Sequence, residues 1–324
     1  MGYPAIQTPL GNPDYPGASS IFSIYADAHG RVWGSTVLPI WIFNLYSPDL
    51  VPLLNPFGVE RGVEGVGDRG EVYTWIERVP GEVWAGIYGG KNRIARFAPS
   101  RSGHDIEGVH RLWRPKGAAT DGTTIWWVGN NIDGQGDPIL GTVVASAANG
   151  SAVVYTDVVD QVLMCADYHG GVLYACGSGE GLAGAELVPT FYAIDPATMD
   201  VLWECPLAGT RPLSMLRVSE TEYAVICHLT SDTTGRLVLV DAGTESRAWH
   251  QDLSPLTILG RARNCLRQVG DEIWTLCDAG IYTVDLETRS LSVRHASASP
   301  DAISAFAVAG DTTLLARGRN LFAA

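Results

Sequence analysis

Tyr88, His228 and Arg263 are the side chains of this 324-residue sequence whose types suit proton transfer beside an anion. Elimination from a uronate-type substrate needs a cation on the carboxylate, which makes the α-proton acidic. It also needs a base titrating near neutrality and an acid for the leaving oxygen. Arg263 or Arg211 supplies the cation, His228 the base and Tyr88 the acid. The candidate substrate-binding set is Arg69, Lys91, Asn92, Asn130, Arg211, Asn264 and Arg317. Asp278 is a weaker proton-transfer candidate. The plain alternatives are a hydrogen-bonded rim histidine for His228, a packing aromatic for Tyr88, and arginines paired with acids such as Glu60, Glu64, Asp68 and Asp133.

Stronger chemical motifs are missing. Asn131-x-Asp133-x-Gln135-Gly136 half resembles a calcium loop, but Thr142 stands where a bidentate Glu is required. A glycine-rich turn explains it better. There is no zinc spacing, nucleophile elbow, P-loop or dinucleotide fingerprint. No cofactor is expected, and a divalent cation is the one addition the loops leave open. Cysteines 165, 176, 205, 227, 265 and 277 fall in or beside predicted strands, with no C-x-x-C pair. Buried free thiols are the expectation. Cys165 with Cys176, and Cys265 with Cys277, are the pairs an oxidised form would join.

The elements that must position these residues are repeats. GRVWGST, GEVWAGI, TTIWWVG, GVLYACG, TEYAVIC, DEIWTLC and TTLLARG align on Trp33, Trp84, Trp126, Tyr174, Ala224, Trp274 and Leu314. Their spacing of 40–51 residues predicts an all-β fold: a seven-bladed β-propeller of four-stranded antiparallel blades. The last repeat lacks an outer strand, and residues 3–10 are expected to complete it and close the ring. Residues 1–324 then form a single propeller domain. The first-to-last strands of each blade run outward from a central channel. Connections between blades, and between second and third strands, meet on one face. The longest are 54–70, 128–141, 176–190 and 254–264, so a ligand site is expected there. Trp33, Trp84, Trp126 and Trp274 recur at one blade position and read as packing residues. Trp75, early in a first strand, could stack on a sugar ring.

Residues 191–207, FYAIDPATMDVLWECPL, resemble the repeat of quinoprotein-like (PQQ-like) propellers. Asp195 and Thr198 match its turn, and Trp203 matches its packing tryptophan. GEVWAGIYGGKNRIARFAPS is similar to a repeat of streptogramin-lyase-like propellers through Trp84, Asn92, Ile94 and Arg96. These resemblances cover repeat frameworks in about half the chain. They imply a fold, with no catalytic set carried over and no bound quinone.

Composition narrows the partners. The net charge of −13 argues against nucleic acid and against an anionic membrane surface. With 37 Gly and 18 Pro, the apolar residues come in short runs suited to strands. No run approaches the length of a spanning helix. The N-terminus carries no basic and apolar leader, so a cytoplasmic protein is expected, with a secreted mature form as the alternative. The reading is an enzyme of lyase type acting on a small or oligomeric anionic substrate, as a monomer. The alternative is a non-catalytic propeller that binds a protein or carbohydrate. Unequal loops count against a lectin, which would repeat its site blade by blade.

Overall fold

The computed structural model describes residues 5–7, 21–36, 44–46, 52–54, 71–88, 93–97, 105–108, 114–132, 138–147, 153–181, 185–230, 234–257, 265–288, 290–297, 303–318 and 320–324. Among the described residues, 28 strands form seven four-stranded antiparallel sheets, and no helix occurs. Six sheets each take four consecutive strands: residues 21–54, 71–108, 114–159, 161–206, 210–257 and 266–296. The seventh combines Ile303–Ala309, Thr312–Arg317 and Asn320–Ala323 with Ala5–Gln7 as its outermost strand. There Ala5 faces Phe322 and Gln7 faces Leu321.

Short carboxylate-capped turns produce these hairpins. The Asp27 carboxylate accepts the backbone amides of His29 and Arg31, each at 2.9 Å. Asp121 does the same for Thr123 and Thr124 at 2.7 Å. On turns into the fourth strands, Asp195 accepts the Ala197 amide, Asp241 that of Gly243, and Asp285 those of Glu287 and Thr288. An Asp at the first turn position satisfies amides that the ladder leaves open.

First strands of neighbouring sheets adjoin one another, while fourth strands expose Val154, Val201, Leu202 and Val293. The first strand is therefore innermost. The core lies between facing sheets. Trp84, Ile125, Trp127 and Val144 fill the space between the second and third. Ile21, Val32, Ala307 and Leu314 fill that between the first and seventh, where the Ile21 amide donates to Gly318 O at 2.7 Å. Buried indoles need acceptors. Trp33 donates to Asp27 at 3.2 Å, Trp84 to Glu82 at 2.8 Å and Trp274 to Glu272 at 2.8 Å.

Two expectations change. Trp75 is 5% exposed, stacks against Tyr25 at 6.4 Å and donates to Ser23 Oγ at 3.0 Å. It packs the first sheet against the second and offers no ring to a sugar. The stretches 128–141 and 176–190 are not simple loops. Thr124–Ile132 and Val172–Gly181 carry their strands well into them, and Pro138–Ala147 begins the return. The first strand of the third sheet runs Arg114–Thr120.

All six cysteines are buried and unbridged. Cys165 and Cys176 face each other on adjacent strands of the fourth sheet. Among the described residues no helix is long and apolar enough to cross a membrane.

Candidate functional site

The fourth and fifth sheets build part of the face expected to hold a ligand site. Val172–Gly181 carries the sequence Gly177-Ser178-Gly179-Glu180-Gly181 at its end. A side chain at Gly177 would collide with the Gln161 amide, and Gly179 holds φ +80. Glycine there lets the strand twist and lets Gln161 lie flat across it. Gln161 is 4% exposed. Its Oε1 accepts the Gly179 amide at 2.8 Å. Its Nε2 donates to the Val188 carbonyl at 3.1 Å and to the Tyr192 hydroxyl at 2.6 Å. Burial, with Glu204 and Asp160 nearby, pushes the Tyr192 hydroxyl above its ordinary range, so it stays protonated.

The chain then turns back. Gly181 N donates to Ala185 O and Leu187 N to Gly179 O, both at 2.8 Å, and Glu180 faces Glu186. The result is a hairpin projecting past the fourth sheet, with Leu187 37% and Val188 52% exposed. Beside it, Arg211 Nη1 lies 3.8 Å from Glu180 Oε1. Arg211 opens the first strand of the fifth sheet and sits directly opposite His228 at the end of the second. Thr210 fixes this entry by donating to Leu207 O at 2.5 Å.

Of the sequence candidates, the structure brings together Arg211 and His228. His228 is half-buried and the Arg211 side chain is half-exposed. Arg69, Lys91, Asn92, Arg263 and Asn264 lie outside the described residues, as do Asp133 and Gln135 of the calcium-like run. Tyr88 is described as backbone, opposite Glu71 at the end of its strand. Asn130 is at a strand end opposite Arg114, but at 2% exposure it offers no surface to a ligand. The Arg317 guanidinium donates to Ala296 O at 3.2 Å and lies over the Phe322 ring, which draws it towards outer strands. Asp278 accepts the Ala279 amide in an exposed turn.

Sequence reasoning missed Gln161, Glu180 and Tyr192. The Gly-x-Gly-x-Gly run was the available signal, because three alternate glycines on one strand mark a close approach from one side. Among the described residues no three His, Cys, Asp or Glu side chains group to hold a metal ion. A cleft of about 450 Å³ lies on the opposite face, lined by Val218, Gln268, Asp271, Glu272, Asp285 and Ser290 among others. None of the sequence candidates lines it.

No family model matches the chain, and no curated protein matches it. Solved structures do. The Pan2 WD40 domain of Neurospora crassa aligns with a TM-score of 0.65 at 14% identity, over 100% of this chain and 93% of that one. The extracellular domain of BT4673 from B. thetaiotaomicron aligns with a TM-score of 0.62 at 11% identity, over 99% of this chain and 39% of that longer one. At such identities the likeness is one of fold: the chain is an all-β propeller.

Proposed function

We propose that this protein is a non-catalytic scaffold that holds a protein partner on the face carrying the fourth-sheet hairpin. The observation behind this reading is the hairpin itself: a projection anchored through Gln161, whose returning strand exposes Leu187 and Val188. A projecting apolar pair on a fixed stem suits a macromolecular contact better than a small-molecule pocket. The likeness to a WD40 domain supports the propeller platform. Seven sheets, with Ala5–Gln7 completing the last, favour a seven-bladed ring as the platform.

The test places a photo-cross-linker at Val188 and, in a second protein, at Gly270 on the opposite face. A partner captured at 188 should bind the purified protein and lose that binding in Leu187→Asp/Val188→Asp. Capture at 270 alone would refute the reading.

A second reading keeps an anionic small-molecule substrate, and the Arg211–His228 pairing favours it. It predicts that uronates or phosphates raise the melting temperature and that Arg211→Ala abolishes the shift. The quinoprotein-like resemblance, through Asp195, Thr198 and Trp203, is of framework alone in both readings. Trp203 stacks on Phe191 at 5.6 Å, a packing role.

A further inference from the structure

The hairpin leaves a strand edge open. Glu180 and Glu186 form a pair flanked by the Gly181–Ala185 and Leu187–Gly179 hydrogen bonds. In such a pair the backbone N–H and C=O of each residue point away from its partner. Glu180 N finds Ser178 Oγ at 3.1 Å. Among the described residues nothing bonds the Glu186 amide or carbonyl. The reason lies in strand lengths. Ala185–Pro189 continues the line of the third strand, Thr190–Ile194, outward. The fourth strand, Val201–Pro206, stops level with Thr190, and its last link to this line is Leu207 N to Pro189 O at 2.6 Å. Beyond that point, among the described residues, the third-strand line has no neighbour on its outer side.

The side chains there define the visitor. Leu187 and Val188 are exposed apolar groups, and Glu186 is exposed with no cation beside it among the described residues. Glu180 shares its charge loosely with Arg211 at 3.8 Å, and Asp160 and Glu204 lie close enough to Tyr192 to act on its hydroxyl. The local field is acidic.

We infer that the edge at residues 185–188 accepts an extended partner peptide as an added strand, with a Lys or Arg opposite Glu186 and an apolar residue opposite Leu187. Main-chain bonds to Glu186 give the affinity, and the acidic and apolar side chains select an alternating basic–apolar sequence. This inference rests on the scaffold reading above and names the partner chemistry of the same surface.

The probe is a short labelled peptide alternating Lys and Val, measured by fluorescence anisotropy. Its controls are an alternating Glu–Val peptide and the Lys–Val peptide N-methylated along its bonding edge. The Lys–Val peptide is expected to bind at least about tenfold tighter than either control, because the Glu–Val peptide sets like charges at Glu186 and N-methylation removes the donor to the Glu186 carbonyl and crowds the edge. Glu186→Lys should reverse the preference to Glu–Val, with an unchanged melting temperature showing that the fold is intact. Equal binding of the Lys–Val and Glu–Val peptides, no effect of N-methylation, or no change in Glu186→Lys would overturn the inference. If a partner cross-links at 188 but the Lys–Val peptide does not displace it, strand addition fails while the scaffold reading stands. If no partner cross-links there, the scaffold reading itself fails.

Discussion

The Gln161 side-chain amide donates to the Tyr192 hydroxyl across 2.6 Å, and its oxygen accepts the Gly179 amide from the strand between them. One buried side chain thus ties three strands of the fourth sheet to the base of the hairpin. Gln161→Ala leaves the Gly179 amide and the Tyr192 hydroxyl without that partner, at a cost of about 1–3 kcal/mol. Urea unfolding measures the loss. Limited proteolysis should cut within residues 178–188 faster in the variant than in the parent protein.

Asp27 is the buried anchor of the first sheet. It accepts Arg31 Nε at 2.7 Å, the Trp33 indole at 3.2 Å and two backbone amides. Removing one partner of a buried ion pair costs about 3–5 kcal/mol, so Asp27→Ala should destabilise by that order. Arg31→Met, which removes the charge but leaves Asp27 its two backbone amides and the Trp33 indole, should cost less. Denaturant midpoints of the two variants give the comparison.

Asp167 makes stability depend on pH. Burial raises its carboxyl above the ordinary value of 3.8, against the opposing pull of the Tyr223 hydroxyl and Arg217. The folded state therefore binds this proton more tightly than the unfolded chain. Its contribution is complete below 3.8 and is lost as pH rises through the elevated folded value. Asp167→Asn removes that loss. The stability difference between variant and parent should grow with pH across this window and level off above it. A difference that stays flat across the window would show that Asp167 titrates normally.

The cysteines should be chemically silent in the native protein. Burial pushes the Cys227 and Cys277 thiols up to about 12 and raises those of Cys176, Cys205 and Cys265 as well. Thiolate is the reactive form, and these sites suppress it. Iodoacetamide with intact-mass readout should add no label at neutral pH and six labels after denaturation. Rapid native labelling of Cys227 would contradict this burial.

Much of this architecture was legible because packing positions repeat. Trp33, Trp84, Trp126 and Trp274 occupy one place in the first, second, third and sixth sheets, and Asp195, Asp241 and Asp285 cap the same turn. A repeated position announces itself in a single chain. The site was less legible because its contacts are made once. Gln161 meets Val188 and Tyr192 only after three strands are laid side by side. Trp75 looked available for a ligand because its partner, Tyr25, lies in the preceding sheet. Arg267 is similar: its guanidinium lies over Tyr25 at 5.9 Å and Phe306 at 5.5 Å, joining the sixth, first and seventh sheets. Spacing along the chain carries no trace of such a meeting.

The scaffold account is tested most directly by hydrogen–deuterium exchange on the complex with a partner captured at residue 188. The account requires amides of residues 179–188 to slow on binding, while those of the outer strand Ser290–Ala296 and the turn at Gly270 keep their free rates. Protection confined to residues 268–292, around the cleft on the other face, would contradict it.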